Sequence, residues 1–356
     1  EAGLYHMFLP IELGGLGTDP LTFLDVASRV SYAHGSAGWC LVAAVAEIAC
    51  AGAFLTDDGV GEIFRQGSTP LIHGAGFPPG KAVLEADTYR ISGDWKYGSG
   101  ISHADYVHTG CFVMQGNKIK VQPNGIPEIR IFNVPRDSFT VIDDWQALGL
   151  RATGSFDYTG HDLLVPSRMS HNLEATAPKR GGNFFSIGMI GLTAIGQTSF
   201  ALGVAKRALD EIAPIAASKK GLLGTVGENA HFQLGFARAS ASLSAARAYV
   251  KETWHEINYV LGQGKQLNLK QVAHMRACFI HSQDVAVQTA DFAYHAGGGI
   301  ALRPSVLQRC FRDIQASRQH VLTSNKIFQD CGKVLAGLSS ERDEWAMVGL
   351  LDNTRV

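Results

Sequence analysis

Apolar and polar positions change their rhythm twice along the chain. Up to about residue 68 the pattern is helical: Asp19 stands ready to cap with Pro20 at the first helical position, and Leu21, Leu24, Ala27 and Ser28 follow at helix spacing. An Ala-rich apolar run over 38–54 comes next, and Thr56-Asp57-Asp58 offers a fresh helix start before Ile63 and Phe64. From about 70 to 168 the texture is that of strands, with Tyr89–Ser92, Asp105–Val113 and Glu128–Val134 alternating or running apolar over short lengths. Pro78-Pro79-Gly80, Gln115-Gly116-Asn117 and Pro123-Asn124-Gly125 punctuate them as turns, and Pro166 closes the zone. From about 183 helices return. Gly297-Gly298-Gly299 ends one of them, and Ser305 with Gln308 three residues on predicts a capping box that opens a long last helix. Its apolar stripe is Val306, Cys310, Phe311, Ile314, Val321, Leu322 and Phe328. The expected fold class is α+β: a helical domain over 1–68, a small antiparallel sheet domain over 69–170 and a helical bundle over 171–356.

Composition narrows this picture. A chain of 356 residues is too long for one core, and 46% apolar with 18% charged residues excludes disorder as the main state. Lys plus Arg is 31 against 32 for Asp plus Glu, so no electrostatic footprint for nucleic acid or anionic lipid exists. A net charge near -1 on a chain this size fits a protein that hides surface in an oligomer. Two apolar stretches, Gly38–Leu55 and Phe184–Ala205, read as buried helices rather than membrane spans. Glu47 interrupts the first, and glycines at 188, 191, 196 and 203 dilute the second. Six scattered cysteines without a C-x-x-C pair read as reduced thiols of a cytoplasmic protein and leave nothing to hold zinc. The opening Glu1-Ala2-Gly3-Leu4 looks like the interior of a domain, so a preceding helix is expected to be missing.

Absent motifs exclude several chemistries. There is no Walker-type phosphate loop, no Gly-x-Gly-x-x-Gly running from a strand into a helix, and no Gly-x-Ser-x-Gly elbow. The 13 histidines include no His-Glu-x-x-His and no pair at i, i+4, so no metal site is expected. Two islands do carry chemistry. Gly93–Ala104 surrounds Ser99 with small residues, which suits a flat ligand close to the backbone, or simply a Gly-rich strand end with a bulge. Trp145–Ser155 gathers an aromatic, an arginine and two hydroxyls just before a strand, which suits a ligand cleft, or a loop packing its own tryptophan.

Together with Pro10–Gly15 near the start and Gln308–Asp313 near the end, these islands resemble the acyl-CoA dehydrogenase superfamily in order and spacing, over essentially the whole chain. The resemblance implies a helical N-terminal domain, a central antiparallel β-domain and a C-terminal four-helix bundle. It also implies a homotetramer, with flavin between the domains and a neighbouring subunit. Dehydrogenases of this family need a glutamate base near the end of the last long helix or on the first bundle helix. Here Ile314–Thr323 carries His320 and no carboxylate, and Phe184–Ala205 carries no acidic residue. A histidine there resembles instead the two-component flavin monooxygenases of the same fold. That likeness implies reduced FMN (FMNH2), or FAD in its place, supplied by a separate flavin reductase. It implies O2 activation as a C4a-hydroperoxyflavin and hydroxylation of a small aromatic or heteroaromatic substrate.

His73, Ser99 and His320 match the catalytic positions of that group. Ser99 is expected at flavin N5, and His73 or His320 is expected to orient the substrate and exchange its proton. Tyr97 and Trp145 resemble the aromatics that flank the flavin ring, with Thr153 and Ser155 lining the same cleft. Lys219 stands where an arginine commonly meets the phosphate, although Lys219-Lys220 reads equally as a solvated charge pair. The runner-up reading is an FAD-dependent dehydrogenase or oxidase with an unidentified base. A third keeps the fold as a scaffold whose site is lost.

Overall fold

Local signals start the first helices as expected. Asp19 accepts from the backbone N–H groups of Leu21 and Thr22 and opens α1 (Pro20–Ala33), which buries Phe23, Leu24 and Ala27. The Ala-rich run becomes α2 (Gly35–Phe54), and Thr56 caps α3 (Asp57–Ile63) through the Gly59 N–H. The computed structural model describes residues 2–65, 70–123, 125–221, 224–340, 343–346 and 350–352. The expected boundary at 68–69, Asn124 of the third turn and Leu222 after the lysine pair lie outside these.

The sheet comprises β1 (Ile72–Glu85), β2 (Thr88–Gly98), β3 (Tyr106–Gln115), β4 (Lys118–Ile119), β5 (Ile129–Pro135), β6 (Thr140–Ile142), β7 (Phe156–Pro166) and β8 (Ser170–Asn172). Its order is β6-β7-β2-β1-β3-β5-β8, with β4 on β3. An all-antiparallel sheet was expected, and one pair departs from it: β1 and β3 run parallel, Ile72 opposite Tyr106. The cause is topological. After β2 the chain crosses the start of β1 through Ser99–Asp105 and enters the sheet on the far side of β1, so β3 must point the same way as β1. The crossing is pinned where Leu71 N donates to Asp105 Oδ2 at 2.7 Å and Asp105 N donates to Leu71 O at 2.8 Å. Trp95 and Tyr158 stack 5.5 Å apart in the sheet's buried face.

The bundle is built from α4 (Gly188–Ser218), α5 (Ala230–Gly262), α6 (Leu269–Gly297) and α7 (Val306–Ser317), with α8 (Asn325–Leu335) packed on α6. Helices α2 and α4 are both apolar and long enough to cross a membrane, yet 78% and 83% of their apolar stretches are buried inside the protein. Close backbone approach explains the glycines in α4: a β-carbon on Gly203 would stand 2.2 Å from the Ser28 carbonyl of α1.

The last long helix is shorter than its stripe predicts. It ends at Ser317, and the chain turns through His320 before α8 begins at Asn325. No proline breaks it; polar side chains divert the backbone bonds instead. Thr323 Oγ1 donates to the carbonyls of Arg318 and His320, and Ser324 Oγ accepts from Ile327 N–H to start α8. Ser305 caps α7 through Gln308 N–H, but the Gln308 amide reaches Leu302 O rather than closing the expected box. His320 therefore lies in the turn beyond the helix rather than on the helix itself.

Candidate active site

A cavity of about 1120 Å³ lies where α2, the start of β1, the end of β2, the loop 145–155, the first turns of α4 and the end of α7 converge. Pockets for a single small ligand run from roughly 300 to 1,000 Å³, so this volume suits two flat molecules side by side. Trp39, Phe77, Tyr97, Trp145 and Phe311 supply aromatic surface, and Ser99, Ser155 and His320 supply polar atoms.

Ser99 reaches the cavity because β2 ends irregularly. Pairing with β7 slips between Trp95 and Gly98, Tyr97 takes φ +65°, and Ser99 N donates to Tyr97 O at 2.8 Å. Both readings of this island thus hold together: it is a bulged strand end, and it lines the cavity. Gly100 follows at φ +78°, where a β-carbon would stand 2.6 Å from the ring of His73.

Four side chains then form a hydrogen-bonded series, and the bond at its carbonyl end sets its direction. Trp39 Nε1 donates to Ser99 Oγ at 3.0 Å; Ser99 Oγ lies 2.7 Å from Ser155 Oγ, and Ser155 Oγ lies 2.6 Å from Thr153 Oγ1. Thr153 Oγ1 donates to Leu150 O at 2.8 Å. An indole N–H only donates and a carbonyl only accepts. With Thr153's proton on Leu150 O, Ser155 must donate to Thr153, and Ser99 must donate to Ser155. Ser99 therefore turns a lone pair, not a proton, toward any ligand in the cavity. Reversing it leaves two buried oxygens facing each other without a proton, or strips Thr153 from Leu150.

The loop that receives this series is itself clamped by α7. Leu150 adopts φ +53°, a left-handed conformation costly for a branched residue, and four partners hold it there. Its N–H donates to Asp313 Oδ1 at 2.6 Å, and its carbonyl accepts from Trp145 Nε1, Thr153 Oγ1 and Thr153 N. Arg312 Nη1 donates to Leu148 O, and Gly149 passes so close to α7 that a β-carbon would stand 1.9 Å from Arg312 O. Trp145 thus packs within its own loop and also lines the cavity, with Tyr97 edge-on at 6.3 Å.

His320 lines the cavity from the turn after α7, with the edge of Trp39 at 6.1 Å. Its Nδ1 accepts from Leu322 N–H at 3.2 Å, which assigns the neutral ring's hydrogen to Nε2. Burial lowers its pKa to about 4, so the ring is neutral at pH 7.

The chain is similar to known proteins along nearly all of its length. Residues 195–325 match the family model for the acyl-CoA dehydrogenase C-terminal domain. The indole-3-acetate monooxygenase of Pseudomonas putida is 27% identical over 94% of this chain and 84% of its own length. The flavin-dependent monooxygenase oxygenase subunit HsaA of Mycobacterium tuberculosis is 24% identical over 90% of this chain and 82% of its own. Among solved structures, XiaF from Streptomyces sp., in complex with FADH2 and glycerol, superposes with a TM-score of 0.84 at 22% identity, over 95% of this chain and 86% of that one. Residues 195–325 thus match one domain of the acyl-CoA dehydrogenase superfamily, and the chain is similar along nearly its whole length to flavin-dependent monooxygenases.

Its cavity fits the flavin of that superfamily. The volume, the flanking Tyr97 and Trp145, and the spare lone pair on Ser99 are what a flat heteroaromatic ring with a donor edge requires. Of the residues expected from sequence, Tyr97, Ser99, Trp145, Ser155 and His320 come together in the lining. Thr153 sits buried behind Ser155, hydrogen-bonded to it. His73 is not in the lining: it is 1% exposed beneath the Gly100 turn, and burial lowers its pKa to about 4. Lys219 is also outside the lining, its Nζ donating to Gly297 O at 2.7 Å and closing the end of α6.

The superfamily's island Gln308–Asp313 acquires a structural reason as well, since Arg312 and Asp313 carry the clamp on the cavity loop. Sequence reasoning missed Trp39, Glu47 and Gln197, all in the lining. Glu47 did leave a signal: it is the single charge in the apolar run of α2.

Proposed function

We propose that the chain is the oxygenase of a two-component flavin-dependent monooxygenase. It takes reduced FMN, or FADH2, from a separate reductase and hydroxylates a small aromatic. The observation that carries this reading is the direction of the hydroxyl series. A reduced flavin bears a hydrogen on N5 and an oxidised one bears a lone pair, so an accepting Ser99 Oγ suits the reduced ring. The missing dinucleotide motif fits a chain that receives reduced flavin ready-made.

Bound reduced flavin supplies two electrons and two protons to O2, one oxygen atom going to the aromatic ring and the other leaving as water. The chain's residues do the rest. Ser99 would accept from the N5–H of a bound reduced flavin, while Trp39, Ser155 and Thr153 hold Ser99. Tyr97 and Trp145 would supply aromatic surface to its ring. His320 presents Nε2–H, so it orients an oxygen by donating to it; with Nδ1 engaged by Leu322, it does not take up a proton at Nε2 in this tautomer. The apolar walls keep water from the reacting atoms. His73 supports the Ser99–Gly100 turn rather than the substrate. The assembly is a homotetramer, as the resemblance implies, and a cytoplasmic one, as the scattered cysteines imply.

One observation bears on the dehydrogenase reading. Glu47 is the only carboxyl in the lining among the described residues. Burial holds its pKa well above the ordinary carboxylate range, and it stands on α2, at neither of the two positions that the resemblance gives for the dehydrogenase base. The experiment is a reaction of the protein with reduced FMN, indole and 18O2. Hydroxylated product carrying 18O is expected; hydrogen peroxide without labelled product would contradict the reading.

A further inference from the structure

His320 does not stand on a helix, so something other than helical bonding must hold its ring in the cavity wall. The turn that carries it runs from the end of α7 at Ser317 to the start of α8 at Asn325. Leu322 is its apolar anchor, 6% exposed and in one packed cluster with Ala277 and Ile280 of α6. Its polar anchor is Arg318, whose guanidinium reaches three acceptors at once. Nε donates to Asp284 Oδ1 of α6 at 2.8 Å, Nη1 donates to Thr323 O, and Nη2 donates to Asn325 Oδ1 at 3.4 Å. Thr323 Oγ1 donates back to Arg318 O at 2.9 Å, so the turn is tied across its neck in both directions. One residue earlier, Ser317 Oγ donates to Gln283 Oε1 of α6 at 3.2 Å, and both residues are buried. Adjacent residues of α6 thus grip adjacent residues at the end of α7. An ammonium could not do the same, because reaching three acceptors in fixed directions takes a planar fork.

A plain tie between α6 and α8 would have no bearing on the cavity. This one does, because the His320 ring takes its orientation from the turn itself: Nδ1 accepts from Leu322 N–H at 3.2 Å, within the loop that Arg318 closes. The ring's environment reports on that closure. Burial lowers the pKa of His320 to about 4, and the other ionisable side chains of the wall among the described residues, Glu47, Lys96 and Tyr97, do not enter that value. Arg318 is paired with Asp284 and does not enter it either. A loosened turn admits water to the ring and returns it toward the ordinary value of about 6.5.

We propose that Arg318, braced by Asp284, is a positioning residue of the site: it holds the turn closed against α6 and thereby keeps the His320 ring in the cavity wall with its hydrogen on Nε2. This rests on the monooxygenase reading only for what His320 then does to a substrate.

The test is the titration of His320 by NMR in protein carrying 13C at Cε1 of its histidine rings, the His320 signal being assigned by its loss in His320→Gln. In Arg318→Met the midpoint is expected to rise by about one pH unit or more. In Asp284→Asn, whose amide oxygen still accepts from Nε, it stays at the wild-type value. Arg318→Met combined with Asp284→Leu, which leaves no lone charge, replaces the single variant if that one does not fold. In parallel, the share of consumed 18O2 that reaches hydroxylated indole is expected to fall at least about tenfold with the raised midpoint. A His320 midpoint unmoved in a folded variant overturns the proposal and leaves Arg318 a structural tie. Wild-type yield of labelled product in a variant whose midpoint has risen overturns it as well. The titration needs no turnover, so a raised midpoint with peroxide as the only product even of the wild type removes the monooxygenase reading alone.

Discussion

Ser99 alone does not decide what it offers a ligand, because a hydroxyl rotates to suit its neighbours. Its direction is set three residues away, where Thr153 gives its proton to Leu150 O. In Thr153→Val the Ser155 proton has no acceptor beyond it and turns onto Ser99, which is then free to donate into the cavity. The preference of the protein for reduced over oxidised FMN is expected to fall from tenfold or more to below about threefold, read by anaerobic fluorescence titration; an unchanged preference would remove the series from the account. At this scale the sequence was half legible. The Ser99 and Trp145 islands announced themselves through glycines and hydroxyls. Trp39 and Glu47 lay inside an alanine-rich run that looked purely structural, and their inward direction depends on which face of α2 the β-domain covers.

Among elements, α7 acts as a fastener between the bundle and the β-domain. Asp313 accepts from the Leu150 N–H, and a β-carbon on Gly35, at the start of α2, would stand 2.5 Å from Asp313 Oδ2. One carboxyl therefore meets the bundle, the cavity loop and the N-terminal end of a 20-residue helix, where burial raises its pKa. Asp313→Ala leaves a buried N–H unpaired beneath a left-handed residue. It is expected to cost about 2–4 kcal/mol in urea unfolding and to loosen flavin binding, with Asp313→Asn milder on both counts; full stability of the alanine variant would contradict this role. The caps Asp19, Thr56 and Ser305 were legible because each acts on its own neighbours. The break after Ser317 was not. It depends on Thr323 and Ser324 competing for backbone groups, and the apolar stripe continues across it undisturbed. The parallel pairing of β1 and β3 was equally hidden, since strand rhythm carries no record of which edge the next strand joins.

For the whole molecule, buried histidines set the acid limit. Burial lowers the pKa of His73, His171 and His320 to about 4 and that of His108 to about 3, while their unfolded values stay near 6.5. A depressed histidine means that the unfolded chain binds more protons below pH 6.5, so stability is lost as pH falls from about 6.5 to 4. Glu47 opposes them in part, because its raised pKa makes the folded state the proton-binding one above its unfolded value of 4.5. The net uptake on unfolding near pH 5 is about three protons, or roughly 4 kcal/mol per pH unit. Urea midpoints at pH 7.5, 6 and 5 check it; a flat profile would show that these histidines are not buried neutral in solution. The three-zone order of helix, sheet and helix was legible from periodicity alone. That the zones meet around a cavity of about 1120 Å³ was not legible, because strand and helix rhythm do not record which elements converge.

The account stands most directly on the redox state of the flavin the chain prefers. Anaerobic titration of the wild-type protein with oxidised and with dithionite-reduced FMN measures it. An accepting Ser99 predicts that the reduced form binds at least about tenfold tighter. Equal affinity, or tighter binding of the oxidised form, would contradict it.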